Sequence, residues 1–92
     1  MSQILDYGYL IKNKGEVTYD FKVSVIIEKD EYGYYAYCPE LEGCQTQGDS
    51  LEEVIANVKE AIELYLETLS EDEIKQCLSK EILTTALEVQ VV

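Results

Sequence analysis

Residues 33–66 read GYYAYCPELEGCQTQGDSLEEVIANVKEAIELYL, and the hydrophobic period changes inside this stretch. Tyr34–Cys38 alternates like a strand. Pro39 cannot donate to a sheet ladder, so Pro39–Gly43 is expected to bend, and Gly43 opens a second short strand through Cys44–Gln47. From Leu51 the apolar residues recur at three- and four-residue spacings: Leu51, Val54, Ile55, Val58, Ala61, Ile62, Tyr65, Leu66 and Leu69. They form one wide stripe on a helix that must cover the sheet. Ser50 and Glu53 have capping-box spacing, which starts the helix at Leu51.

Working outward, Val17, Tyr19, Phe21, Val23, Val25 and Ile27 share one parity and Thr18, Asp20, Lys22, Ser24 and Glu28 the other. A strand over 17–28 with one buried face follows, and Ile26 breaks its polar row. Asp30–Gly33 turns it into the next strand, with Gly33 available for positive φ. Before it, residues 4–11 fit either a hairpin turned at Asn13–Gly15 or a short amphipathic helix, so residues 1–16 are left as an N-terminal extension. After the long helix, Ser70 and Glu73 cap a short helix over 71–79 with Ile74, Cys77 and Leu78 inward, and Leu87, Val89 and Val91 alternate in a closing strand over 84–92. The expected fold is α+β: a three-stranded antiparallel meander, a long helix on one sheet face, a short helix and a closing strand. A chain of 92 residues holds one domain, residues 1–92, with a core small enough that a homodimer or higher oligomer is expected.

Composition narrows function. Nineteen acidic residues against 7 basic, with no His, give a net charge of −12. Arg is absent too. Such a surface repels phosphate backbones and attracts basic partners, which argues against direct nucleic-acid binding. The N-terminus has no secretory pattern and no apolar run spans a bilayer, so a cytoplasmic protein away from membranes is expected. Three scattered cysteines read as thiols.

Chemistry finds little footing. Cys38 and Cys44 lack the further thiolate and imidazole ligands that zinc requires, and no Cys-x-x-Cys opens a helix. Neither Ser nor Cys has an imidazole base. Gly33, Gly43 and Gly48 read as turn glycines, not a phosphate loop. No catalytic residue, metal or cofactor is expected. What remains is surface: the helix presents an acidic ridge at Glu52, Glu53, Glu60, Glu63 and Glu67, eased by Lys59, with Asn57 beside it. Tyr34, Tyr35 and Tyr37 put aromatic rings on both sheet faces. The ridge and Tyr34 are the candidate partner-binding residues.

The run resembles the HicB-like antitoxin family, through a glycine turn (Gly33), aromatic-x-Ala (Tyr35), Pro-x-Leu-x-Gly-Cys (Pro39, Leu41, Gly43, Cys44), Gln-Gly before a capped helix (Gly48, Ser50, Glu53), and Asn57, Ala61 and Ile62 within it. The resemblance implies that these are scaffold residues of a sheet similar to a partial ribonuclease-H fold. It also implies that the protein binds and occludes a small basic HicA-like toxin that cleaves messenger RNA. An orphan domain that self-assembles as a structural or regulatory binding protein is the alternative. Nuclease activity would need carboxylates converging on two metal ions, and the helix stripe carries none. Many family members append a DNA-binding module. Residues 70–92 offer one short helix, one strand, Lys75 and Lys80, so operator binding by this chain alone is not expected.

Overall fold

The Asp30–Gly33 turn forms because two local features agree. The Asp30 carboxylate accepts the Tyr32 N–H at 2.8 Å, and Gly33 adopts φ 134°, a conformation costly for any residue with a Cβ. In the computed structural model, which describes the backbone of residues 9–12 and 16–92 and side chains from residue 20 onward, this turn sits inside a simple order. The elements are β1 (Tyr9–Lys12), β2 (Glu16–Tyr19), β3 (Ile26–Asp30), β4 (Gly33–Tyr37), β5 (Gln45–Gly48), α1 (Leu51–Glu67) and α2 (Glu71–Cys77). The strands β3-β4-β5 make an antiparallel meander, and β1-β2 a separate two-stranded hairpin. The α+β architecture is as the sequence implies. Of the two alternatives for the N-terminal stretch, the antiparallel pairing of Tyr9–Lys12 with Glu16–Tyr19 favours the strand one, while residues 1–8 and 13–15 lie outside the described residues.

The bend between β4 and β5 is a compact plug. Cys38 N–H donates to the Cys44 carbonyl at 3.0 Å, Leu41 N–H to Cys38 at 3.1 Å, and Cys44 N–H to Leu41 at 3.0 Å. Gly43 takes φ 81°. Closing the bend drives Leu41, only 1% exposed, into a core of Ala36, Cys38, Cys44, Val54, Val58 and Ile62. Helix α1 rests on this layer, and Ile74 of α2 is buried as well.

Three expectations need correction. The long strand 17–28 is split, because residues 20–25 carry no ladder. The cause is the bend: β4 ends at Tyr37, so its ladder does not continue alongside residues 20–25. The Glu40 carboxylate, 7% exposed, stands in for the missing strand by accepting Ser24 N–H at 2.6 Å. Gly48 is not a turn glycine. It ends β5 under the first turn of α1, where a Cβ would lie 2.7 Å from Val54 N. Third, residues 84–92 form no strand with any described residue, and Leu87, Val89 and Val91 are 80%, 77% and 90% exposed.

Both helix starts are built by their caps. Ser50 Oγ accepts Glu53 N–H at 3.1 Å, and the Glu53 carboxylate reaches back to Asp49 N–H at 3.2 Å, one residue earlier than a reciprocal capping box requires. In α2 the box is complete: Ser70 Oγ accepts Glu73 N–H at 3.2 Å and Glu73 accepts Ser70 N–H at 2.9 Å. These hydrogen bonds hold the exposed Glu73 carboxyl below its ordinary value. Each Ser cap contributes about 1 kcal/mol.

Candidate functional site

Alternation along β4 sorts the tyrosines. Tyr34 pairs with Gly48 and packs against the buried cluster on the helix side, half-buried. Lys29 Nζ lies 5.4 Å from its ring centre, a cation–π contact across the β3–β4 pair. Tyr35 and Tyr37 lie on the opposite face, ring centroids 5.7 Å apart, and Tyr35 Oη donates to Gln45 Oε1 at 2.7 Å. Of the aromatics picked out in the sequence, Tyr34 is thus tied into the core, and the open sheet face belongs to Tyr35 and Tyr37.

The acidic ridge divides in the same way. Glu52, Glu60, Glu63 and Glu67 are exposed along one side of α1, at spacings that stack them on a common helix face. Glu53, exposed at the first turn and in line with Glu60 at the seven-residue spacing, differs from them in having its carboxylate on Asp49 N–H. The ridge borders an apolar groove. Phe21, Val23 and Val25 form one wall and Ile55, Ile62 and Leu66 the other, with Lys59 and Glu63 at the rim. The sequence stripe assigned Ile55 to the sheet contact, but it stays 47% exposed because the wall opposite it, residues 20–25, has no strand beside it.

The scaffold residues have physical roles. Asn57 Nδ2 donates to the Gln47 carbonyl at 2.9 Å. Because the hydrogen-bonded Cys38–Cys44 pair sets the alternation of the β4–β5 ladder, Gln47 presents its backbone groups outward, and Asn57 takes up its carbonyl there. Ala36 is fully buried, and Ala61 packs against the cluster. Glu40 was missed by sequence reading. An acid after the strand-ending proline looks like one more solvated charge, and only the broken ladder shows its use.

All three cysteines are free thiols. Burial pushes the Cys38 and Cys44 thiols up from the ordinary 9.0, and for Cys38 the neighbouring Glu40 charge adds to it against hydrogen bonds that pull the other way. A thiol raised in the folded state contributes stability that is fully present below the unfolded value and lost as pH rises through the folded one. Stability should therefore fall as pH climbs past 9.0. At pH 8 a thiol reagent should modify the half-buried Cys77 first and react with Cys38 and Cys44 of the native protein at least about tenfold more slowly, with denaturant removing the difference. Three equivalents reacting at one rate in native protein would contradict the packing of the bend.

Among the described residues no helix is long and apolar enough to cross a membrane. A family model described as the HicB-like antitoxin of bacterial toxin–antitoxin systems matches residues 23–89. The chain is similar to a UPF0150 protein of Helicobacter pylori, 46% identical over 67 residues that cover 73% of this chain and 93% of that one. A UPF0150 protein of Synechocystis is 52% identical over 50 residues, 53% of this chain and 63% of the relative. One of Archaeoglobus fulgidus is 60% identical over 47 residues, 50% and 68% respectively. No solved structure matches. The match runs from the groove wall through the bend, the capped helix and most of the C-terminal segment, and the chain belongs to the HicB-like antitoxin family of bacterial toxin–antitoxin systems.

Proposed function

We propose that this protein neutralises a small basic HicA-like toxin by binding it and covering the face with which it would engage RNA. The observation that carries the reading is the family match over residues 23–89. The chemistry agrees: an RNA-cleaving protein needs a cationic surface, and a chain of net charge −12 competes for it as a phosphate backbone does. Glu52, Glu60, Glu63 and Glu67 supply a negative strip, interrupted by Ala56 and eased by Lys59, on a helix beside the apolar groove wall of Ile55 and Leu66. Charge would steer the encounter and apolar contact would hold the complex. The protein acts in this reading as a binding module in the cytoplasm, with no catalysis and no cofactor of its own.

The test takes a short basic protein whose reading frame adjoins that of this chain as the candidate toxin, titrated calorimetrically and by stopped flow. Raising salt from low to physiological strength should slow association about tenfold. The triple variant Glu60→Lys, Glu63→Lys, Glu67→Lys should weaken binding by at least about tenfold while leaving the thermal midpoint nearly unchanged, since the sites are exposed. Binding indifferent to both changes would remove the ridge from the account.

A second reading, an orphan domain that works through self-assembly, is favoured by the exposed apolar residues at the C-terminal end. It predicts no stable complex with the neighbouring basic protein.

A further inference from the structure

The two edges of the meander are not equivalent. At the outer edge of β5 Asn57 takes up the Gln47 carbonyl. Among the described residues the outer edge of β3 has no such contact. The ladder alternation that turns Gln47 outward makes Tyr35 and Tyr37 bond toward Glu28 and Ile26, and so leaves Ile27 and Lys29 with their N–H and C=O groups directed away from β4. The same parity continues through Val25 and Val23. Among the described residues none of these four backbone positions has a hydrogen-bond partner outside the β3–β4 pair. On the helix side, Val25 and Ile27 are each 37% exposed and Ile55 is 47% exposed, so the open edge runs along the mouth of the apolar groove.

The same chain carries a segment that fits this opening. Residues 84–92 alternate Leu87, Val89 and Val91 with Glu88 and Gln90, and all three apolar side chains stand in solvent. Glu88 is the one charge in that segment of a chain of net charge −12, so it is where two such chains repel least. Among the described residues none covers it, and Leu87, Val89 and Val91 are 80%, 77% and 90% exposed.

We infer that residues 84–92 of a second copy add as a strand to the open edge at residues 23–29, with Leu87, Val89 and Val91 entering the groove between Val25 and Ile55, and that the exchange is reciprocal. Backbone pairing supplies the edge with partners and the period-two pattern sets the register of side chains into the groove. A twofold axis makes both copies donor and acceptor, so two docked tails together bury surface on the order of the roughly 1,200–2,000 Å² of a stable interface. The Ile55 wall of this groove is also the one the toxin reading uses, so a docked tail and a docked toxin exclude one another there; the test of the tail needs only this chain.

Sedimentation equilibrium of the purified chain should give twice the chain mass. Leu87→Asp/Val89→Asp should give monomer with an unchanged helical signal, since both residues are exposed. Ile55→Asp, on the groove side, should also give monomer. Mixing the two variants at high concentration should give a heterodimer weaker than the wild-type dimer, because the one intact tail, that of the groove variant, fits the one intact groove, that of the tail variant. A monomeric wild type, whether its tail is free or folded back on its own groove, overturns the proposal. So does a dimer indifferent to the tail substitutions, or a mixture that stays monomeric.

Discussion

Val54→Asp is expected to leave a chain with no cooperative thermal transition. Val54 is 0% exposed and lies at the centre of the layer formed by Ala36, Leu41 and Val58. A carboxylate there has no donor and no path to water, and burying the unpaired carboxyl costs several kcal/mol even once protonation has removed its charge. A core of this size supplies about 3–5 kcal/mol in total, so the substitution consumes all of it. Circular dichroism melting and urea titration check the result. Leu64→Asp is the control: Leu64 is on α1 too, but 56% exposed, and the change should move stability by less than about 0.5 kcal/mol. A folded Val54→Asp with an unchanged midpoint would mean that α1 presents a different face to the sheet.

Gly48→Ala is the second large effect, from the smallest possible side chain. A Cβ at Gly48 would stand 2.7 Å from Val54 N, 3.0 Å from Val54 Cα and 3.2 Å from Glu53 C. All three are backbone atoms of the capped first turns of α1, so no rotamer change relieves them. Either β5 shifts or the helix start lifts off the sheet, at about 1–3 kcal/mol. For a domain of this length that lowers the midpoint by roughly 5–20 °C. Gly43→Ala separates this cause from backbone strain. Gly43 has φ 81° and nothing within 4 Å of an added Cβ, so its cost is the left-handed conformation alone, about 1 kcal/mol. Equal losses at the two positions would contradict the close approach at Gly48.

Local signals carried most of the fold into the sequence. The Ser50 and Ser70 caps, the proline bend and the helix period each act over a few residues, and each appears in the structure where its chemistry places it. What failed was non-local. The alternation over 17–28 is a true strand pattern, but a ladder also needs a neighbour, and β4 turns away at Pro39, so the pattern ends without a partner. Residues 84–92 fail for the same reason, since alternation specifies a strand and is silent about which chain it pairs with. Gly48 has the composition of a turn position, and the helix pressing on it is visible only in three dimensions. Tyr34 and Tyr35 are adjacent and chemically identical. Which one faces the core depends on the side of the sheet that α1 covers, a choice that one strand cannot reveal.

The acidic ridge was legible as a pattern of charges but not as a site. Glu52, Glu60, Glu63 and Glu67 look the same as any solvated helix face until the exposed groove wall is found beside them. Glu53 belongs to the same acidic run in sequence, yet its carboxylate serves the helix start. Spacing alone does not separate a charge that caps from one that is free to meet a partner.

The measurement that bears most directly on antitoxin function is affinity capture of the tagged full-length chain from its native cells at low salt, with the mass and stoichiometry of whatever co-purifies. The account predicts a small basic protein in fixed ratio to the bait, released as the salt is raised and able to cleave RNA once freed. Recovery of the bait alone, at every salt concentration and with the neighbouring basic protein present in the cells, would contradict it.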